Sequence, residues 1–170
     1  MDFKTLAAER YSLRKFSTRP VEKEKLALVL EAARSAPTAL NLQPQHIFVM
    51  ESPEALERIS ACTDANYHPP LMLVVAYDAA IAWTRELDGK NQGEIDAALV
   101  TAQVMLQAAD LGLGTTFVGH FHPAQVVAAF PEMQGFTPIA LLPIGYPAEG
   151  AHPSRLHGDR KPLESMVTVL

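Results

Sequence analysis

The chain has 170 residues, 48% hydrophobic and 19% charged, with a formal net charge of −5 and a single cysteine. Length and apolar content fit one domain with a sizeable core and exclude a disordered chain. The apolar runs at residues 71–77 and 139–146 fall far short of the about 20 residues that a membrane helix needs. No basic run exceeds two residues, which argues against a general nucleic-acid binder.

The first residues, Met1-Asp2-Phe3-Lys4, carry an early acid and no apolar stretch, so a secretory segment is not expected. Cys62 stands alone and can form neither an internal disulfide nor a zinc–cysteine cluster, and a reducing cytoplasm is the expected compartment. Residues 2–9 read as a short helix with Phe3, Leu6 and Ala7 on one face. Residues 10–16, mixed in polarity, read as extended chain. Pro20 opens a helix to about Ala33, with Leu26, Val29, Leu30 and Ala33 at helical spacing, and Pro37 stops it. An irregular connector, residues 38–44, leads to a strand at 46–50. Ser52 then caps a helix to about Ser60, with Pro53 at its first position.

His68-Pro69-Pro70 breaks the chain before residues 71–77, a continuous apolar run of the kind buried on both faces of a sheet. Residues 78–92 read as a mixed loop or partial helix carrying Trp83, Arg85, Asp88 and Gly89. The strongest helical signal runs from Glu94 to Leu111, with Ile95, Leu99, Ala102, Leu106 and Ala109 as one stripe and Gly112 at the C′ position. A short strand at 115–118, a helix at 123–130 stopped by Pro131, and a strand at 138–145 follow. The tail, residues 148–163, holds few packing residues, and such a length without structure suggests that it lies on something, such as a partner subunit. Residues 164–170 are apolar again. Strands and helices mix in one unit over residues 1–170, with no repeats or linkers.

Positive charge gathers at both ends: Arg10, Arg14, Lys15 and Arg19 at one, Arg155, Arg160 and Lys161 at the other. This is either ordinary solvated charge or an anion site assembled from distant segments. In an extended Arg10-Tyr11-Ser12-Leu13-Arg14, residues i, i+2 and i+4 share a side, which sets two guanidiniums and a hydroxyl together as a phosphate cradle. Asn41 and Gln43 lie between Pro37 and Pro44. Their carboxamides suit a ring edge of alternating C=O and N–H groups, such as a flavin pyrimidine, or equally a capped loop. The glycines of residues 112–120 allow a planar ligand close to the backbone, but here the helix precedes the strand, so this is not a Rossmann site. His120-Phe121-His122 alternates, yet no metal-ligand motif is present and no metal is expected. Cys62 lacks an evident base partner and reads as a structural thiol.

Five motifs in sequence carry a resemblance: R-x-S-x-R (residues 10–14), A-x-x-A-P-T-x-x-N-x-Q-P (33–44), the D-A-A-L to G-L-G-T stretch (96–115), I-G-Y-P (144–147) and R-K-P-L (160–163). In these the chain resembles the nitroreductase family of FMN flavoproteins over nearly its whole length. Residues 88–91 and 153–157 are similar, more loosely, to a compact branch of that family. The resemblance implies an α+β fold, a three-layer α/β/α sandwich around a mainly antiparallel sheet, and a homodimer with FMN at its interface. It also implies that Arg10, Ser12 and Arg14 hold the phosphate and ribityl end, joined by Arg160 and Lys161 from the C-terminal side. Thr38, Asn41 and Gln43 match positions that meet the isoalloxazine, typically from the other subunit, and Val118, Gly119 and His120 match the backbone along the reactive edge of the ring.

The implied activity is hydride transfer from NADH or NADPH to FMN and on to an electron-poor small molecule such as a nitroaromatic or quinone. A flavin-binding protein without turnover, as carrier, sensor or flavin-consuming enzyme, is the alternative. No catalytic side chain is assigned; His120 is either a proton donor or a surface histidine. Gln45 stands where many members have an aromatic residue, and Gly119-His120 where some have an acid. The short chain implies a more open pocket.

Overall fold

The computed structural model describes residues 2–170; Met1 lies outside them. Helix α1 (Phe3–Glu9) is capped by Asp2, whose carboxylate accepts from the Thr5 N–H at 3.1 Å and the Thr5 hydroxyl at 2.6 Å. Helix α2 (Lys23–Arg34) precedes the strand β1 (Gln45–Met50), helix α3 (Pro53–Ser60) and strand β2 (Leu71–Asp78). A small hairpin, β3 (Thr84–Arg85) and β4 (Lys90–Asn91), leads into the long helix α4 (Gly93–Asp110). Strand β5 (Gly114–Thr115), helix α5 (Pro123–Ala129) and strand β6 (Phe136–Gly145) complete the core.

The main sheet has four strands in the order β1-β2-β6-β5, every neighbouring pair antiparallel. Side chains alternate between the faces of a strand, so β2 divides its apolar run. Leu71 and Leu73 join Val29 and Ala33 of α2 and Val100, Val104 and Ala108 of α4 on one face. Met72 and Val74 join Ile59 of α3 and Val126 of α5 on the other. The result is the expected three-layer α+β sandwich. At the start of α4 only glycine fits: a Cβ on Gly93 would stand 2.1 Å from the Tyr77 ring.

Three sequence expectations change. Within the expected loop or partial helix at 78–92, residues 84–91 form the β3–β4 hairpin, held by an Arg85–Asp88 ion pair and by a turn at Gly89, whose φ is +69°. The expected strand at 115–118 shortens to β5 plus a single bridge between Val118 and Leu141. The third change is on α4. Its buried face carries Asp96, Ala97, Val100, Thr101, Val104 and Ala108, while Ile95 and Leu99 of the expected stripe are each 46% exposed. The helix is apolar nearly all round, so periodicity alone does not choose a face. The sheet takes the small and β-branched side, and the longer side chains point outward.

Candidate functional site

The R-x-S-x-R segment is fixed by its middle residue. Leu13 is 1% exposed and its N–H donates to the Thr115 carbonyl at 2.9 Å, while Ser12 bridges Thr115 in parallel. With Leu13 turned into the core against Gly114, its neighbours Ser12 and Arg14 fall on the opposite, outer side. Arg14 is exposed, with its guanidinium back on the Ser12 carbonyl at 3.3 Å. Arg10 is partly buried, and its Nη1 is sealed from solvent without a hydrogen-bond partner. Arg10, Glu9, Tyr11 and Thr115 line a cavity of about 200 Å³ beneath the C-terminal end of α4, and the Thr115 hydroxyl is a second buried, unpartnered polar group there.

The tail runs beside this segment. Ala148 N–H donates to the Lys15 carbonyl at 3.0 Å, and Lys15 Nζ reaches the Glu149 carbonyl at 2.8 Å. Ser12, Arg14 and Lys15 face Gly150, His152 and Ser154 across a groove of about 330 Å³. Further on, the His157 ring meets Tyr11 edge-on at 6.2 Å and lies 3.1 Å from the Ala8 carbonyl. Arg160 donates to the His157 carbonyl at 2.6 Å and to the Asp159 carbonyl at 2.8 Å, which ties it to the same corner. Lys161, its neighbour, is exposed. The tail that carries Arg160 and Lys161 thus returns along the N-terminal segment.

Thr38, Asn41 and Gln43 lie elsewhere. Their loop is closed by Gln43 N–H donating to Thr38 Oγ1 at 3.0 Å, and it joins α4 through Ala39 N–H on Asp96 Oδ1 at 2.9 Å. Asp96 is in the first turn of α4, whereas Ala109 of the Arg10 cavity is in the last. At 1.5 Å per residue these contacts stand about 20 Å apart along the helix. Within one chain, the loop and the cationic corner therefore lie at opposite ends of α4.

Val118, Gly119 and His120 follow β5. Val118 is buried and exchanges hydrogen bonds with Leu141 at 2.9 and 3.0 Å; Gly119 and His120 are exposed. The His120 carbonyl accepts from Thr63 Oγ1 at 2.6 Å, and its ring stands 3.9 Å from the Asp64 carboxylate. Nearby Cys62 is a buried free thiol whose pKa is pushed up by burial. Sequence reading passes over Asp96 and Thr115 as individual site residues. The signal for the first is an acid on an otherwise apolar helix face.

A three-layer sandwich whose C-terminal tail folds back over an N-terminal Arg–Lys segment beside the sheet edge defines the architectural class. A family model described as "Nitroreductase family" matches residues 7–65 and 61–146, and the chain belongs to that family. A nitroreductase family protein of Clostridium difficile 630 has a solved structure that is 39% identical and superposes with a TM-score of 0.91, covering 99% of this chain and 98% of that one. An NADH dehydrogenase of Thermus thermophilus is 29% identical over 98% of this chain and 95% of its own length. A nitroreductase of Exiguobacterium sibiricum, solved in complex with FMN, shares the fold at 22% identity and a TM-score of 0.85, covering 100% of this chain and 98% of that one. No described helix is long and apolar enough to cross a membrane.

Proposed function

We propose that the chain is one FMN-binding domain over residues 1–170, an NAD(P)H-dependent oxidoreductase that acts as a cytoplasmic homodimer. The observation that carries this reading is the buried, unpartnered Nη1 of Arg10 in the cavity under α4, four residues from a groove in which Arg14 and Lys15 face the C-terminal tail. A buried guanidinium nitrogen without a partner calls for an acceptor, and a phosphate supplies one in bidentate geometry. The family, and the FMN complex of a relative of the same fold, make FMN the phosphate ester that fits.

When bound, FMN supplies the hydride chemistry, from NADH or NADPH and on to an electron-poor acceptor such as a nitroaromatic or quinone. The protein's part is to bind and orient. Arg10, Arg160 and Lys161 would neutralise the phosphate, Ser12 would donate a hydrogen bond to it, and Arg14 would hold the ribityl end. Backbone N–H groups at Gly119 and His120 offer donors to negative charge along the ring edge, the Val118 N–H being held by the Leu141 carbonyl, and no side-chain acid or base is needed.

The second copy supplies Thr38, Asn41 and Gln43, because these residues are about 20 Å from the cationic corner of their own chain. The outward Ile95 and Leu99 of α4, together with exposed Leu28, Leu40 and Leu42, provide the apolar surface for that association. Light scattering is expected to give a dimer. The purified protein is expected to be yellow, with FMN identified by its spectrum and mass. Under anaerobic stopped flow, NADH or NADPH bleaches the flavin, and a nitroaromatic or quinone restores it. A preparation that stays colourless with excess FMN rejects the reading; flavin that neither donor bleaches leaves a flavin-binding protein without turnover.

A further inference from the structure

Asp96 is the one charged residue among the buried described residues, 2% exposed. It sits in the first turn of α4, where the helix dipole favours a carboxylate. One carboxylate oxygen accepts the Ala39 N–H at 2.9 Å; the other is buried without a partner. An apolar side chain would fill this place at lower cost to stability, since a buried acceptor left unpaired is unfavourable. The carboxylate therefore calls for a reason beyond filling space.

The loop it touches supplies that reason. Leu40, Asn41 and Gln43 have φ of +51°, +54° and +52°, a left-handed conformation uncommon outside glycine and held only where surroundings impose it. Bonds within the loop define its shape: Asn41 N–H to the Thr38 carbonyl at 3.0 Å, Leu42 N–H to the Ala39 carbonyl at 3.1 Å, and Gln43 N–H to Thr38 Oγ1 at 3.0 Å. None of these ties it to the rest of the protein. The Ala39–Asp96 contact does so at its start, and the Asp78 N–H on the Pro44 carbonyl at 2.9 Å does so at its end.

We propose that Asp96 is a positioning residue: its carboxylate docks the strained loop against the start of α4 so that Thr38, Asn41 and Gln43 stand ready for the ring of a flavin. This inference rests on the function proposed above. Asp96 acts through Ala39 and touches no reacting atom.

The test compares Asp96→Ala, Asp96→Asn and Ala39→Pro with the wild-type protein. Asparagine keeps an acceptor for Ala39. Proline removes the N–H from the other side of the contact, and Thr38 before it is already extended, with φ −135° and ψ 157°, as a residue preceding proline prefers. Hydrogen exchange of the flavin-free proteins reads the anchor, and FMN titration by fluorescence quenching reads its consequence. In D96A the amides of Ala39, Asn41 and Leu42 are expected to exchange about tenfold faster, while Val100 and Val104 are unchanged. In A39P those of Asn41 and Leu42 do the same. Both variants are expected to bind FMN about tenfold more weakly, the order of loss for a hydrogen bond to a charged group. D96N stays within about threefold of wild type in both readouts, which general destabilisation does not predict. Unchanged loop exchange in D96A and A39P, or a D96N variant as impaired as D96A, overturns the proposal. A wild-type protein that takes up no flavin refutes the proposed function instead, and the exchange comparison still decides whether Asp96 anchors the loop.

Discussion

Substituting Gly114 by alanine probes how the fold positions the cationic segment. A Cβ built on Gly114 stands 2.2 Å from Leu13 Cδ2, 2.7 Å from its Cβ and 2.9 Å from its Cγ. Rotation of Leu13 moves only the outer atoms, so the clash with its Cβ must be relieved by moving backbone. That backbone carries Ser12 and Arg14. Overpacking of this kind costs about 1–3 kcal/mol, and for a chain of this size each kcal/mol corresponds to about 2–4 °C in Tm. Gly114→Ala is therefore expected to lower the Tm of the flavin-free protein by about 2–12 °C at fixed protein concentration, and to weaken FMN binding. Leu13→Ala alone removes a side chain that is 1% exposed and costs about 2–5 kcal/mol. In the double variant the two clashing outer atoms are gone, so the losses are less than additive, with coupling of about 0.5–3 kcal/mol. Thermal and urea unfolding of the four proteins, with FMN titrations of each, complete the cycle. A G114A protein with wild-type Tm and FMN affinity, or strictly additive losses, would refute the reasoning.

Arg10→Ala is expected to leave the fold intact, since Nη1 has no internal partner to lose, and to weaken FMN by about 10–150-fold, the range for charge-assisted bonds; calorimetric titration with FMN checks it. Leu99→Glu places a charge on the outward face of α4; light scattering is expected to show a monomer that no longer retains flavin, with helical circular dichroism preserved. The Tyr146 hydroxyl donates to Glu22 at 2.6 Å and, with Arg19, holds the Glu22 carboxyl down from 4.5 to about 2. Because the folded-state value is the lower one, this contribution is present above pH 4.5 and is lost as pH falls toward 2. Tyr146→Phe is expected to raise the Glu22 pKa in a carboxyl NMR titration and to narrow its stability deficit against wild type as the pH is lowered through that window.

Much of the architecture is legible from local chemistry. Pro37, Ser52, Pro53, Gly112 and Pro131 punctuate the helices by simple steric and capping rules, and the unbroken run at residues 71–77 becomes the strand buried on both faces, whereas the helix expected to open at Pro20 starts only at Lys23, with Glu22 at its N-cap position. The hairpin at residues 84–91 is harder to read, because its two strands have two residues each and depend on one ion pair and a glycine turn rather than on apolar alternation. The outward face of α4 is illegible for the opposite reason: both sides of the helix are apolar, and only the sheet decides which is covered. Spacing alone proposes Arg10, Ser12 and Arg14 as one face; the burial of Leu13 sets Ser12 and Arg14 along one groove, while Arg10 lines a separate cavity under the end of α4. That the tail carrying Arg160 returns to the N-terminal segment depends on a path set by Lys15, Tyr11 and Ala8, contacts far apart in sequence that no local pattern encodes. The separation of Thr38, Asn41 and Gln43 from that corner follows only once α4 is laid out as a rod between them.

A complementation experiment tests the central claim most directly. Arg10→Ala disables the cationic corner, and a Thr38→Ala/Asn41→Ala protein disables the loop; each homodimer is expected to lose flavin. When the two are unfolded together and refolded as a mixture, a tagged heterodimer is isolated and its FMN content measured. If each flavin is held by the corner of one copy and the loop of the other, one site carries all the defects and the second carries none, so about one FMN per heterodimer returns. A heterodimer that recovers no flavin would show that corner and loop serve the same site within one chain, and would contradict a flavin shared between two copies.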